Sequence, residues 1–307
     1  MSILEVKKLS ISFQQYGSGL KRQTLDVMSE LSIELEEGEI LAIVGASGSG
    51  KSLLAHALLG ILPENAKTTG TILFEGEELT EERLVALRGK EIALIPQSVN
   101  FLDPLMQVGK QVRQSVKKGD AHSAQRAVFD RYHLQEHVDK MYPFQLSGGM
   151  ARRTLLSTAA VSGAKVIIAD EPTPGLDEVV IQEALTNFRE FANDGCAVML
   201  ITHDIESALT IADKIAVFYA GTVVEIASVN DFTGKGEKLR HPYSKALWNA
   251  LPQNEFIPIP GSQPQSSELP PGCLFAPRCP LATKECTEAR PDMRELREGK
   301  VRCIDAT

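Results

Sequence analysis

The sequence has no long apolar run and no excess of basic residues. A membrane-spanning helix needs about 20 consecutive apolar residues, and no stretch approaches that length. The first residues also lack the charged-then-apolar pattern of a signal peptide. The formal net charge of −8 argues against a nucleic-acid partner, because phosphate contacts require a basic face. We therefore expect a cytosolic protein that reaches any membrane by docking to another chain.

Cysteine is scarce, and no two cysteines form a CxxC pair. Cys196 begins an apolar run and is interpreted as a small buried hydrophobe. The other four, Cys273, Cys279, Cys286 and Cys303, cluster near the end of the chain. In a cytosolic protein such a cluster indicates metal ligation or reduced structural thiols before disulfides. The spacing disfavours a zinc ribbon, whereas iron and sulfide accept looser spacing from four thiolates.

A complete phosphate-binding loop lies between an apolar run and a helical pattern. The loop consists of Gly45, Ala46, Ser47, Gly48, Ser49, Gly50, Lys51 and Ser52. Ile40–Val44 before it predicts a buried parallel strand, and a helix is predicted from Lys51 onwards. The glycines let backbone N–H groups surround phosphates, Lys51 reaches the β and γ oxygens, and the Ser52 hydroxyl suits Mg2+. The register of strand, loop and helix favours a nucleoside triphosphate site over a chance glycine-rich turn.

A second glycine-containing segment opens a helix further along the chain. Ser147 is a predicted N-cap, and Gly148 and Gly149 expose N–H donors between Leu146 and Met150. Taken alone, Ser-Gly-Gly is a common structural turn.

Two further apolar strands end in polar residues. Residues 166–169 lead to Asp170 and Glu171, and residues 197–201 lead towards His203. An acidic pair at a strand end suits a magnesium-binding carboxylate and a neighbouring carboxylate that polarises water. Seen singly, such a pair can be a helix cap and such a histidine is more often structural. Their common order along three strands of one sheet favours the functional interpretation.

These segments together resemble the ATP-binding cassette (ABC) ATPase family over roughly residues 1 to 230. The matching features are, in order, the phosphate loop, Gln97, Ser147 with Gly148 and Gly149, Asp170 with Glu171, Asp177, and His203. The resemblance implies an α/β fold, with a phosphate-loop sheet core, an antiparallel β subdomain and an inserted helical subdomain. It also implies ATP and Mg2+ as ligands.

The resemblance assigns roles on the chain's own ATP. Glu171 would be the general base, Asp170 would hold Mg2+ through water, and His203 would contact the γ-phosphate. Gln97 would join Ser52 near the metal, sense the nucleotide and touch the membrane partner.

Other roles would be played across a dimer, because the family pairs two ATPase units head to tail. Ser147, Gly148 and Gly149 would then contact ATP on the partner, and Asp177 would lie at the seam. The run that ends in Asp177 departs from the family pattern at Pro174, which puts the seam geometry in question.

An aromatic side chain is expected upstream of the loop to stack on adenine. Phe13 and Tyr16 are the two candidates, and core packing is the alternative for Phe13.

The pattern divides the chain into two parts. We predict an ABC ATPase domain over residues 1–235, with its helical subdomain at about 99–161, where strand signals vanish. Residues 236–307 form a C-terminal extension, and residues 256–271 within it are an irregular linker rich in Pro, Ser and Gln.

The extension carries a closer resemblance. The residues that match are 241–247 (His-Pro-Tyr-Ser-Lys-Ala-Leu), 251–252 (Leu-Pro) and 272–280 (Gly-Cys-Leu-Phe-Ala-Pro-Arg-Cys-Pro). They resemble the C-terminal extension of the ATPase subunits of bacterial dipeptide, oligopeptide and nickel importers. Some members hold an iron–sulfur cluster, which implies a [4Fe-4S] cluster on Cys273, Cys279, Cys286 and Cys303. The alternative is a thiol-rich lobe that packs against the ATPase core.

Met150 at the end of the signature, where glutamine is more usual, resembles the first of two ATPases in such importers. The resemblance implies a heterodimer with a second ATPase subunit, two membrane permease subunits and an extracytoplasmic substrate-binding protein. The chain would act peripherally at the cytoplasmic face of the inner membrane. Two alternatives are a soluble, non-transport ABC ATPase and a regulatory subunit that binds ATP without hydrolysing it. The intact Glu171 and His203 argue against the second.

Overall fold

The computed structural model describes residues 2–16, 22–174 and 178–307. The strands are β1 (Ser2–Tyr16), β2 (Arg22–Glu36), β3 (Ile40–Val44), β4 (Ala66–Phe74), β5 (Glu77–Glu78), β6 (Ile92–Ile95), β7 (Val166–Asp170), β8 (Ala197–Thr202), β9 (Lys214–Tyr219), β10 (Thr222–Ser228), β11 (Arg294–Leu296) and β12 (Gly299–Val301). The helices are α1 (Lys51–Leu58), α2 (Glu81–Leu87), α3 (Val108–Gln114), α4 (Ala121–Arg131), α5 (Gly148–Ser162), α6 (Glu178–Asn193), α7 (Ile205–Ile211), α8 (Pro242–Asn249) and α9 (Lys284–Glu288).

An eight-stranded sheet forms the centre of the molecule. Its order is β11, β12, β10, β9, β3, β8, β7, β6, and the five strands from β9 to β6 are parallel. Successive residues of β3 face opposite cores: Ile40 and Ala42 contact one, and Leu41 and Ile43 the other. Because both faces are covered, the strand is a continuous apolar run. The predicted strands at 40–44, 166–169 and 197–201 are all present.

Each face of this sheet is covered by different elements. Helices α5, α6, α7 and α8 contribute to the first core. On the other face lie α1 and an antiparallel sheet of order β2, β1, β4, β5. The phosphate loop between β3 and α1 is therefore held between the two sheets.

The part between β6 and β7 is helical. Over residues 99–161, all of which the structure describes, there are three α-helices, three short 3-10 helices and no strand. Val108 and Val112 of α3 pack with Phe129 of α4 in a small core of their own. Helix α5 begins after Ser147, whose Oγ accepts a hydrogen bond from the Met150 N–H at 3.2 Å, as predicted for an N-cap.

The C-terminal part is built onto the central sheet. Strand β12 pairs with β10, with Val301 opposite Glu225. The fully buried Glu225 carboxylate accepts the backbone N–H groups of Arg240 at 2.7 Å and His241 at 2.8 Å. Residues 256–271 form neither helix nor strand, in agreement with the predicted linker. In the described ranges no helix is long and apolar enough to cross a membrane.

Candidate functional site

The predicted site residues follow adjacent strands of the central sheet. Gly45 follows β3, His203 follows β8, Glu171 follows β7, and Gln97 lies two residues beyond β6. These strands are parallel neighbours in that order. Their carboxyl ends therefore lie at one edge, which is where open α/β sheets bind ligands.

The backbone of the phosphate loop depends on glycine at specific positions. A Cβ at Gly45 would lie 2.3 Å from the Phe218 carbonyl oxygen, so no side chain fits there. Gly48 and Gly50 have φ values of 75° and 101°, which only glycine adopts without strain. The loop therefore curls tightly in front of α1, whose N-terminus favours anions.

The Lys51 side chain lies inside this loop and is only 5% exposed. Its Nζ donates to the carbonyl oxygens of Gly45 at 2.9 Å and Ala46 at 3.1 Å. Glu171 Oε1 is 3.7 Å away. Burial lowers the pKa of Lys51, while the charges of Glu171 and Asp170 oppose that shift. The ammonium group is thus next to the carboxylates, at the position where phosphates would lie.

The side-chain oxygens of Ser52 and Asp170 meet beside Lys51. Ser52 Oγ donates to Asp170 Oδ1 at 3.1 Å. Burial raises the pKa of Asp170, and the hydrogen bond from Ser52 opposes this shift. A hydroxyl and a carboxylate are ligands that Mg2+ prefers, so this pair fits the metal that the sequence predicts. Gln97 is exposed at the same edge.

Glu171 lies between a lysine and a histidine. Its Oε2 accepts a hydrogen bond from His203 Nδ1 at 2.7 Å, while Oε1 faces Lys51. Its φ of 47° is unusual for a residue other than glycine. The Glu171 N–H donates to the Ile201 carbonyl at 2.8 Å, which holds this strained backbone against β8. A carboxylate fixed in this way can orient a water and accept its proton.

The signature residues face away from their own chain. Ser147 and Gly148 are exposed, and a Cβ at Gly148 or Gly149 would meet nothing within 4 Å. Arg152, which sequence reasoning missed, connects this helix to the segment after Glu171. It donates to the carbonyls of Pro172 at 2.9 Å and Pro174 at 3.1 Å. Asp177 lies outside the described residues.

The two adenine candidates differ in their surroundings. Phe13 is partly buried against the core between the two sheets. Tyr16, at the end of β1, is 66% exposed, and the Arg22 guanidinium lies 6.0 Å from its ring centroid.

The four C-terminal cysteines line one small cavity. Cys273, Cys279, Cys286 and Cys303 all contribute to its wall, and all are free thiols. Burial raises the pKa of Cys273, Cys279 and Cys303, so each favours its neutral form when no positive group is bound. Among the described residues, no three His, Cys, Asp or Glu side chains are close enough to hold a single metal ion.

His241 also lines this cavity and is fully buried. Its Nδ1 accepts the Tyr243 N–H at 3.0 Å and caps α8. Burial lowers the pKa of His241 to about 3, so the ring is neutral and its proton is on Nε2. That Nε2 has no hydrogen-bond partner in the described structure. An unsatisfied buried donor is costly, and here it borders a cavity lined by sulfur.

Two arginines near the thiols also have a buried N–H donor without a partner. The Nε atoms of Arg290 and Arg302 are buried and unpaired as far as the structure is described. Burial lowers the pKa of both guanidiniums, that of Arg290 to about 10, whereas the charge of an ionised Cys273 would raise them. His241 lines the cavity, and Arg290 and Arg302 lie beside its wall, next in the chain to Pro291 and Cys303. Unsatisfied donors and two positive charges so close to four thiols fit an anionic group in the cavity. Arg302 directly precedes Cys303 in the sequence, a signal that was missed.

Comparison with known proteins agrees with this geometry. A family model described as ABC transporter matches residues 28–174, and one described as oligopeptide/dipeptide transporter, C-terminal region, matches residues 224–286. Among solved structures, the fold resembles a dimeric ATP-binding cassette named MJ0796, in a post-hydrolysis state with ADP and Pi. The TM-score is 0.65 at 22% identity, covering 74% of this chain and 98% of that one.

Curated relatives match almost end to end. The oligopeptide transport ATP-binding protein OppD of Escherichia coli (strain K12) is 34% identical, covering 98% of this chain and 97% of the relative. The dipeptide transport ATP-binding protein DppD of Bacillus subtilis (strain 168) is 35% identical, covering 94% and 90%. The chain therefore belongs to the ABC transporter ATPases, within the oligopeptide and dipeptide transport group.

Proposed function

We propose that this chain is the ATP-hydrolysing subunit of a bacterial ABC importer that takes up dipeptides or oligopeptides through a membrane permease. The observation that carries the ATPase part is the Glu171 carboxylate held between Lys51 and His203 beside the phosphate loop. The cargo class follows from the printed names of the relatives. The ATPase unit is taken as residues 1–235, with the helical subdomain at about 99–161, and the extension as residues 236–307.

ATP binds with its phosphates in the loop of residues 45–52. Lys51 exchanges its carbonyl contacts for the β and γ oxygens. Ser52, Asp170 and Gln97 would hold Mg2+, which when bound neutralises phosphate charge. Glu171 orients the attacking water and accepts its proton, and the products are ADP and phosphate.

His203 and Tyr16 complete the site on this chain. His203 holds the Glu171 carboxylate through Nδ1, and when the imidazole is protonated, Nε2 of this half-exposed ring donates to the γ-phosphate. Tyr16 stacks on adenine, since its ring is exposed at the strand end whereas Phe13 packs into the core.

Two ATPase units close head to tail over the nucleotides. The outward-facing Ser147, Gly148 and Gly149 of each unit contact ATP on the other, and Asp177 lies at the seam. ATP favours the closed dimer because these contacts exist only there, which is the differential affinity that a population shift requires. With Met150 in its signature, the chain pairs with a different ATPase subunit.

Closure acts on the permease through the surface that follows Gln97. Phe101 and Leu105 are exposed apolar side chains on this segment, Leu105 by 87%. Two permease subunits dock there at the cytoplasmic face of the inner membrane, and an extracytoplasmic binding protein delivers the cargo to them. Hydrolysis then reopens the dimer and resets the permease.

Uptake by cells tests the cargo. In a strain that lacks this chain, we expect loss of labelled di- and tetrapeptide uptake, with recovery from the wild type but not from Glu171→Gln. Nickel, the other class that the sequence leaves open, is measured in parallel. Unchanged peptide uptake with lost nickel uptake would replace peptide by a metal complex. Unchanged uptake of both would favour a soluble, non-transport ATPase.

The extension is proposed to hold a [4Fe-4S] cluster on Cys273, Cys279, Cys286 and Cys303. In such a cluster each iron takes one thiolate, so the sulfurs need not surround a single ion. The unpaired Nε2–H of His241, together with Arg290 and Arg302 and their buried, unpaired Nε–H groups, would supply donors and positive charge to a cluster that is anionic with its four thiolates.

Anaerobic purification with iron, sulfide and zinc analysis tests this. The wild type should carry near-stoichiometric iron and sulfide with broad visible absorption, which Cys279→Ser should lose. Cys196→Ser is the matched control, because Cys196 lies outside the cavity. Zinc, or no metal, in the anaerobic wild type would make the extension a structural lobe and leave the ATPase assignment intact.

A further inference from the structure

One short segment of β2, residues 27–30, contacts both the thiol-rich extension and the phosphate loop. In sequence it lies shortly before the phosphate loop and far from the four cysteines, so the cysteines do not point to it. Its contacts form a continuous physical path between the two sites.

The extension reaches this segment through two arginines, the partly buried Arg290 and the buried Arg302. Arg290 donates to the Oγ of Ser29 through Nη1 and to the Ser29 carbonyl through Nη2 at 3.1 Å. Arg302 donates to the Glu30 carbonyl at 3.0 Å, and the Glu30 carboxylate is 3.7 Å away. Neither arginine lines the cavity, but their chain neighbours Pro291 and Cys303 do. Arg302 Nη1 also donates to the Pro291 carbonyl at 3.0 Å. The two arginines therefore connect the cavity wall to β2.

The same segment packs against the phosphate loop. The Ser29 N–H donates to the Gly221 carbonyl at 2.9 Å. A Cβ at Gly221 would lie 2.3 Å from the Val27 carbonyl oxygen, and one at Gly50 would lie 3.4 Å from it. The Val27 carbonyl is thus held between Gly221 and Gly50, directly before Lys51. A shift of this strand would be transmitted to the loop that binds phosphate.

The conformation of the segment depends on its external contacts. Glu30 has a φ of 48°, which is disfavoured for a residue with a side chain. Its N–H donates to Ser10 Oγ at 3.0 Å, and its carbonyl accepts from Arg302. The arginines therefore help to hold a backbone that would otherwise relax.

The charge balance around the arginines is incomplete without the cavity. Within the described residues, Arg302 has one ion-pair partner, the half-exposed Glu30, and the Nε–H groups of both arginines are unpaired. Negative charge on the four sulfurs would offset the two positive guanidiniums, which lie close enough to repel each other.

We propose that Arg290 and Arg302 are positioning residues that couple the thiol cavity to the phosphate loop. An anionic group on the four cysteines fixes these arginines against Ser29 and Glu30, and the fixed β2 segment strengthens ATP binding at the loop. The inference rests on the proposed cluster for its anionic group, while the contacts from the arginines to β2 stand apart from it.

The test measures the ATP dissociation constant of the full chain with its cluster and after anaerobic removal by chelator. Coupling between sites is typically 5- to 150-fold, so we expect the loaded wild type to bind ATP at least about fivefold more tightly. In Arg290→Gln this ratio should fall to about one, and Arg290→Lys should restore part of it. Arg294→Gln is the matched control, because Arg294 bonds only within the extension and should keep the wild-type ratio.

Iron analysis of each sample distinguishes a failure of the proposed cluster from a failure of the proposed coupling. A loaded wild type with the same ATP affinity as the stripped protein, or an unchanged ratio in Arg290→Gln, overturns the coupling and leaves the cluster in place. If the wild type holds no iron, the comparison of Arg290→Gln with Arg294→Gln still decides the link from the arginines to the loop. Equal ATP affinity of these two variants overturns it. Circular dichroism melting curves confirm that each variant is folded.

Discussion

Glu171 shows how strain and charge are combined at one residue. Its left-handed backbone is held by a hydrogen bond to β8, and its carboxylate contacts Lys51 and His203. Backbone strain of this kind persists only where the surroundings enforce it, and it is concentrated at functional sites. The geometry supports the role of general base.

We expect Glu171→Gln to lower the ATP hydrolysis rate by about 10²- to 10⁴-fold, the usual contribution of a general base. ATP binding should remain within a few fold, because Lys51 and the loop are unchanged. Hydrolysis and equilibrium binding are measured on the same preparations. Glu183→Gln, which changes a surface ion pair with Arg153, is the control. Normal turnover of Glu171→Gln would refute the assignment.

Lys51→Ala should act on binding itself. The ammonium group is buried inside the phosphate loop, and its removal leaves the γ-phosphate without its cation. Loss of a charged hydrogen bond costs about 1.5–3 kcal/mol, which predicts ATP affinity at least tenfold weaker in a fluorescence titration. Lys165→Ala, at an exposed ion pair with Glu75, should bind as the wild type does. Equal affinities of the two variants would contradict the loop interpretation.

At the residue scale, the sequence predicts which residues form the candidate site better than it predicts their backbone geometry. The loop, Asp170 and Glu171 are recognisable because phosphate and metal chemistry demands those residue types in that order. The positive φ of Glu171 could not be predicted, since local preference opposes it. The role proposed for Arg290 could not be predicted either, because its contact with Ser29 joins residues far apart in sequence.

At the element scale, one buried carboxylate joins helix α8 to strand β10. Glu225 is fully buried and accepts the N–H groups of Arg240 and His241 as well as the Arg240 side chain at 3.3 Å. These bonds hold the chain at Arg240 and His241 against the central sheet. The His-Pro-Tyr sequence turns into α8 directly over this carboxylate.

Glu225→Gln should destabilise the docking of the extension. Removing one partner of a buried ion pair costs about 3–5 kcal/mol, so we expect a lower urea midpoint and faster proteolysis within residues 256–271. The control is Glu288→Gln, an exposed pair with Lys284, which should change neither. Wild-type stability of Glu225→Gln would show that the carboxylate does not hold the extension.

Strands were predicted correctly where burial of both faces fixes an apolar sequence pattern. Strands β3, β7 and β8 begin with apolar runs of four or five residues with both faces covered, and each was predicted. Strands β11 and β12 were not predicted, because three residues each with charged side chains carry no periodicity. Their place depends on pairing with β10, a long-range contact that local pattern does not encode. The limits of the two domains, 1–235 and 236–307, stay predictions.

At the scale of the whole molecule, two exposed surfaces are candidates for contact with partner chains. The signature residues face outward, and the segment after Gln97 presents Phe101 and Leu105 to solvent. In the proposed assembly, the first surface contacts the second ATPase and the other contacts the permease. If so, ATP hydrolysis and coupling to transport depend on different residues and can be separated by mutation.

Leu105→Glu should impair coupling to transport and leave ATP binding unchanged. The proposed docking surface is apolar at Leu105, and a carboxylate buried there without a partner should weaken docking by more than about 1.4 kcal/mol, which is tenfold in affinity. We expect ATP binding by the isolated subunit to be unchanged, and copurification with the permease and peptide uptake to fall at least tenfold. Val85→Glu is the matched control, because Val85 is also an exposed apolar residue, 60% exposed, but lies on α2. Wild-type uptake by Leu105→Glu, or an equal loss in Val85→Glu, would place the permease contact elsewhere on the molecule.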